Sequence, residues 1–164
     1  MTRKSRAVVT LASLAFASSQ TYLAYLLRGL RPNILSLQLT FDAGCYWEIL
    51  GQWGELGRAV YRGHFGYDGV HALIYAIFGY LLATRGGLFG PAELRAMARA
   101  AWILPGAALL DLCENLLQLH ILAGPFGART AAIPLSALCA AGKWGLALWF
   151  ALVIGRRLVS KLGT

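Results

Sequence analysis

Residues 7–27 form an apolar run without a charge, and at about 1.5 Å of rise per residue such a helix crosses a bilayer core of about 30 Å. Three further apolar stretches follow, at about 62–84, 98–124 and 131–155. The turns between the last three are short and break helices cleanly: 85–91 is Gly-rich with a Pro, and 125–130 carries both Pro and Gly. Short connections make consecutive helices antiparallel neighbours. The pattern predicts an all-α, polytopic four-helix membrane bundle forming a single domain over 1–164. A secretory signal peptide is the rival for the first stretch, because a basic start, a short apolar run and the small-x-small triplet Ala15, Phe16, Ala17 fit one. The run continues through Tyr22, Leu23, Tyr25, Leu26 and Leu27, which favours a span.

Between the first and second stretches the period changes. Leu35, Leu37, Leu39 and Phe41 alternate with Ser36, Gln38 and Thr40, a period of two that predicts an extended piece. Asp42 is a suitable N-cap. After it Tyr46, Leu50, Trp53, Gly57 and Tyr61 recur at helical spacing, with Glu48, Gln52 and Glu55 on another face. Segment 33–61 is therefore expected to carry an amphipathic helix at the membrane interface. Trp47 and Trp53 suit headgroup depth, and Gly51, Gly54 and Gly57 weaken the helix and allow a bend.

Composition agrees with membrane insertion. Of 164 residues 58% are hydrophobic and 13% charged, with a mean hydropathy of +0.59, whereas soluble domains carry about 25% charged residues. The net charge of +8 in a soluble protein would point to nucleic acid. Here the basic residues flank the apolar runs: Arg3, Lys4 and Arg6; Arg85, Arg95 and Arg99; Arg156, Arg157 and Lys161. They read as topology signals toward anionic lipid, with both termini in the cytoplasm and 33–61 outside. The expected partners are membrane lipids and a lipophilic small molecule, with homo-oligomers open and no nucleic acid. Richness in Ala, Gly, Leu and Arg fits a bacterial inner membrane. Cys45, Cys113 and Cys139 are widely spaced and read as small apolar fillers, with neither a disulfide framework nor structural zinc.

Several ionisable residues fall inside the apolar runs, where each costs about 2.5–3.5 kcal/mol on insertion scales. His64, Asp68, His71 and Tyr75 share one helical stripe, and Asp111, Glu114, Asn115 and Gln118 share another. Lys143 of the fourth span is too deep to snorkel, so Asp111 or Glu114 is its expected partner. Gln20 is expected to bring the first span to the same interior site, and Arg58 to reach in from the interfacial helix. Pro105 is expected to kink the third span and widen an outer-leaflet pocket. His120 reads as an interfacial residue.

Buried pairs can simply fix helix register, but one pair would suffice for that. The sharper expectation is an enzyme on a lipophilic, terpenoid- or sterol-like substrate. Its catalytic groups would be Asp68, His71, Asp111 and Glu114. Glu114 would carry the proton, Asp111 beside Lys143 would be the base, and Asp68 with His71 would form a second proton-transfer pair. Arg58, Tyr75, Asn115, Gln118, Lys143 and Gln20 would orient or support. Tyr67, Phe78, Trp102 and Trp144 would steady a cationic intermediate. Isomerisation, cyclisation or epoxide opening would suit such a site. No cofactor is expected, and metal is a weaker version of the same cluster because the Glu-x-x-His pattern is missing. A proton-coupled carrier and a non-catalytic accessory subunit are the alternatives, although the chain lacks the inverted repeats of carriers.

The series Trp53, Gly54, Gly57, Arg58, Tyr61, His64, Asp68, Tyr75, Pro105, Asp111, Glu114, Asn115 and Lys143 resembles a group of small bacterial four-span membrane proteins of unsettled function. The resemblance spans about 35–150 and implies a four-helix membrane fold with no particular reaction. In architecture alone the chain is similar to sterol-isomerase-type membrane bundles, without their motif strings.

Overall fold

A computed structural model describes residues 2–162. It is all-helical: α1 (Arg3–Leu27), α2 (Ile34–Gln38), α3 (Ala43–Arg85), a 3₁₀ turn (Pro91–Glu93), α4 (Leu94–Ala101), α5 (Ile103–Ala123) and α6 (Ala132–Leu162). Four helical stretches are long and apolar enough to cross a membrane. Helix α1 packs on α3, α3 on α5 and α5 on α6. The long helices thus form a row more than a closed ring, and α1 is its outlying member, with Leu23 its one buried residue.

The alternation at 35–41 does not make an extended strand. Asn33 accepts the Ser36 amide and starts the single helical stretch of α2. Leu37 and Gln38 are buried, while Leu35, Leu39 and Phe41 stay exposed. The local cap satisfies the backbone without a partner strand, and that outweighs the period-two signal.

Asp42 caps α3 by accepting the Cys45 amide at 2.9 Å. That bond holds its carboxylate below the usual aspartate range. The cap is therefore intact at neutral pH and is lost only when acidification passes the lowered value. The interfacial helix and second span expected as separate elements form one 43-residue helix, kinked at Gly54 (φ 63°, ψ −170°). Only glycine adopts that conformation without strain. The first arm buries Tyr46, Trp47, Leu50 and Trp53 against Leu30, Leu37, Ile121, Leu122 and Ile133. It thereby covers the α5–α6 turn. Both indoles are satisfied within the protein, Trp47 by the Ala128 carbonyl at 2.8 Å and Trp53 by the Pro32 carbonyl at 2.7 Å.

The break expected of Pro105 in the third span falls one turn before it. The helix breaks at Trp102, and Pro105 lies in the first turn of the new helix α5. There its missing N–H costs little, and its ring avoids an unbroken preceding turn. The region closes instead of widening: Leu104 and Ala107 pack with Leu88, Phe150 and Ile154. A Cβ on Gly79 would lie 2.6 Å from the Leu104 Cβ, so glycine lets α3 and α5 approach there. The cysteines are not core fillers either, since Cys45 and Cys113 are exposed and all three are free.

Contacts step in opposite directions along neighbouring helices. Phe16 stacks on Phe78, Ser19 meets His71 and Tyr22 meets Tyr67. Across α3 and α5, Arg62 donates to the Leu122 carbonyl, Asn115 to Asp68 and Tyr75 to Asp111. At the far end Arg157 pairs with Glu93 and Lys161 donates to the Gly87 carbonyl. This antiparallel order puts the N-terminal, 85–99 and C-terminal basic groups at one end of the row.

We expect Gly54→Ala to cost about 1–3 kcal/mol of stability because of the strained φ. Gly51→Ala and Gly63→Ala, at helical positions with open space, should be neutral or stabilising by up to about 1 kcal/mol. Unfolding in graded denaturing detergent measures both, and equal effects at all three glycines would contradict the kink's dependence on residue 54.

Candidate functional site

Midway along the row, α5 presents Asp111, Glu114, Asn115 and Gln118 on one stripe, and all four are buried. Helix α6 brings Lys143 to it. The Lys143 Nζ lies 2.6 Å from Asp111 Oδ1 and 2.7 Å from Glu114 Oε2, so one ammonium holds both carboxylates. Tyr75 Oη of α3 donates to the other Asp111 oxygen at 3.1 Å. Asn115 Nδ2 donates to Asp68 Oδ2 at 2.8 Å. One turn further along α5, Gln118 accepts from Tyr46 Oη and donates to Ser136 Oγ, each at 2.5 Å, tying α3, α5 and α6 together. Three carboxylates against one lysine leave two negative charges without a cation unless protons bind.

Other candidates lie elsewhere. Gln20 is exposed, and the residue of α1 that reaches inward is its neighbour Ser19, whose hydroxyl is 2.8 Å from His71 Nδ1. Ser19 belongs to the face of Phe16 and Leu23, which meets α3; Gln20 is turned about 100° away. Arg58 does not reach the cluster. It donates to the Leu50 carbonyl at 3.2 Å and lies over the Phe126 ring. Asp68 and His71 do not form a pair, because Asn115 takes the carboxylate and Ser19 takes the imidazole. His64, fully enclosed, turns its Nδ1 to the Tyr61 carbonyl of its own helix.

The expected aromatic cage does not form. Tyr67 and Trp102 are 54% and 67% exposed, on the outside of the row. Phe78 stacks on Phe16. Trp144 is the exception, with its ring centroid 5.8 Å from Lys143 Nζ. Among the described residues no three His, Cys, Asp or Glu side chains are placed to hold a metal ion. Two surface hollows stand out, one of about 500 Å³ along the Ala17–Tyr25 face of α1 and one of about 380 Å³ between Leu30 and Trp53. Neither is lined by a residue of the cluster, whose Asp111, Glu114, Asn115, Gln118 and Lys143 are buried.

Tyr46 and Ser19 are contributors that the sequence reading did not assign to the cluster. Helical spacing puts Tyr46 on the apolar face of an interfacial helix, where a phenol ring does fit, and the fold of the chain at Gly54 turns its hydroxyl toward α5.

Removing one member of a buried ion cluster strands the others, so Lys143→Met should destabilise by about 3–5 kcal/mol. The triple variant Asp111→Leu, Glu114→Met, Lys143→Met should regain most of that loss, since no charge remains to be buried. Detergent unfolding of the two proteins checks this, and a triple variant no more stable than the single would contradict it. Searched against protein-family models, curated proteins and solved structures, the chain matches none of them.

Proposed function

We propose that this chain is a multi-pass protein of a bacterial inner membrane. Its termini would be cytoplasmic, and segment 33–61 would lie at the outer interface. Four apolar helices with large hydrophobics facing outward, such as Leu109, Leu116, Leu148 and Val159, support insertion. Nine of the fifteen Lys and Arg residues gather at the end bearing the termini, which supports the orientation.

Within that frame the Asp111–Lys143–Glu114 centre is proposed to perform general acid/base chemistry on a lipophilic, terpenoid- or sterol-like molecule, by isomerisation, cyclisation or epoxide opening. The observation that carries this reading is one lysine bridging two carboxylates, with a third carboxylate and a tyrosine hydrogen-bonded alongside. Asp111, held by Lys143 and Tyr75, is the base, and Glu114, which lacks a second donor, is the acid. Helix register alone requires one such pair. The route inward follows the α1–α3 seam: α1 buries a single residue, and behind Ser19 and Phe16 lie His71 and the half-buried Asp68.

The test compares organic extracts of cells expressing wild type, Asp111→Asn and Glu114→Gln at equal levels of folded protein, by untargeted mass spectrometry. A product present in the wild type should fall by on the order of 10²–10⁴-fold in either variant, as for loss of a general acid or base. Indistinguishable extracts would overturn the catalytic reading and leave the carrier or accessory role as the better account.

A further inference from the structure

The hollow of about 380 Å³ lies between the C-terminal end of α1 and the part of α3 that bends at Gly54. Leu30 and Trp53, both buried, belong to its wall, and the bond from Trp53 to the Pro32 carbonyl holds the loop after α1 against α3. The lining is ordered along the chain. Arg31 lies beyond the end of α1, whereas Leu26 is still within it. Gln52 lies on the first arm of α3, and Leu56 and Val60 follow after the bend, where the helix runs back toward the middle of the row. The polar members therefore stand at the outer end of the hollow and the apolar ones toward the middle. Leu56 and Val60 are 85% and 37% exposed, so the apolar part opens sideways.

At the polar end the Arg31 guanidinium is fixed but not used up. Its Nη1 donates to the Arg28 carbonyl at 2.9 Å and the Leu30 carbonyl at 2.8 Å. Among the described residues no carboxylate pairs with it, and nothing accepts from its Nε or Nη2. A planar guanidinium held by one nitrogen, with donors to spare, matches the oxygens of a phosphate. Gln52 donates to Glu48 at 3.3 Å, which brings a carboxylate beside this end and gives no advantage to a ligand with surplus negative charge.

We propose that the hollow is a site for one phospholipid of the outer leaflet, with its phosphate on Arg31 and an acyl chain along Leu26, Leu56 and Val60. A cation outside and an apolar wall inside reproduce the order of headgroup and tail along the membrane normal. A free anion would leave the apolar part facing water, whereas an acyl chain covers it. The inference rests on the membrane orientation proposed above and is independent of the acid/base reading.

The test titrates the full chain in detergent with phosphatidylethanolamine or phosphatidylglycerol and counts bound lipid by native mass spectrometry. Both should bind, one per chain, with similar affinity, and inorganic phosphate should not displace them. Arg31→Gln should weaken binding by about tenfold or more, as for loss of charge-assisted hydrogen bonds to phosphate. Arg28→Gln removes the same charge from a side chain stacked over Tyr25 at 4.0 Å and outside the lining, and it should bind as the wild type does. Gly29→Phe should fill the hollow and weaken binding at unchanged charge, since Gly29 has open space at its Cβ and no positive φ. Equal losses in the two arginine variants, binding of phosphatidylglycerol alone, full binding by Gly29→Phe, or displacement by inorganic phosphate would each overturn the site. Alkaline extraction of membranes carrying the same proteins separates this proposal from the one beneath it. Wild type that stays in the membrane but takes up no lipid overturns the site alone, whereas wild type released by alkali overturns the membrane reading with it.

Discussion

An ammonium group surrounded by apolar helices cannot remain charged without a counter-charge in contact, and Lys143 is in that position. Its partners come from the neighbouring helix, so the requirement fixes more than a local geometry. For one nitrogen to touch both Asp111 and Glu114, α5 must present a full turn toward α6 at a set height. The same stripe then aims Asn115 at Asp68 and Gln118 at Ser136. A slip of one residue between α5 and α6 would rotate these partners by about 100° and strand several polar groups together. Apolar packing tolerates exchange of similar shapes, whereas this network admits one register.

Small residues do complementary work where the network is absent. Gly79 lets α3 close on Leu104, and Gly142 faces Leu110 across the α5–α6 contact. Close approach brings the polar side chains of the cluster within hydrogen-bond reach of one another. At the other end, the kink at Gly54 folds the first arm of α3 back over the α5–α6 turn. That puts Tyr46 above Gln118, although the two are 72 positions apart in sequence.

Much of this was legible in the sequence, and the reason is physical. Polar residues are costly in an apolar run, so those present must converge, and the stripes of α3 and α5 together with Lys143 followed from helical periodicity alone. Side chains on the margins were not legible. Choosing Ser19 over Gln20 required knowing which face of α1 meets α3, and that helix has small residues on several faces. The reach of Arg58 depended on the direction of the chain after Gly54, which a sequence can mark as bendable without giving an angle. The alternation at 35–41 was too short to show whether a partner strand existed. Pro105 marks the break at Trp102, one turn before it, but the packing of Leu104 against Leu88 and Phe150 that closes the region leaves no sign in hydropathy.

The row arrangement bears on how such a centre could work. Helices α3, α5 and α6 are bound to each other by ion pairs and side-chain hydrogen bonds, all located between them. Helix α1 is attached through one serine–histidine contact, stacked and edge-on ring pairs and a single buried leucine. In a bilayer, apolar contact between helices competes with equally apolar lipid, and among the described residues no ion pair joins α1 to the rest, whereas Lys143 ties α6 to α5 through two carboxylates. In the proposed setting, a lipophilic molecule approaching in the plane of the membrane would meet the α1–α3 seam, where Asp68 is half-buried and His71 contacts Ser19. Under the proposed acid/base reading, α1 can move without breaking any ion pair of the Asp111–Lys143–Glu114 centre, and that reconciles a buried centre with chemistry on a substrate dissolved in lipid.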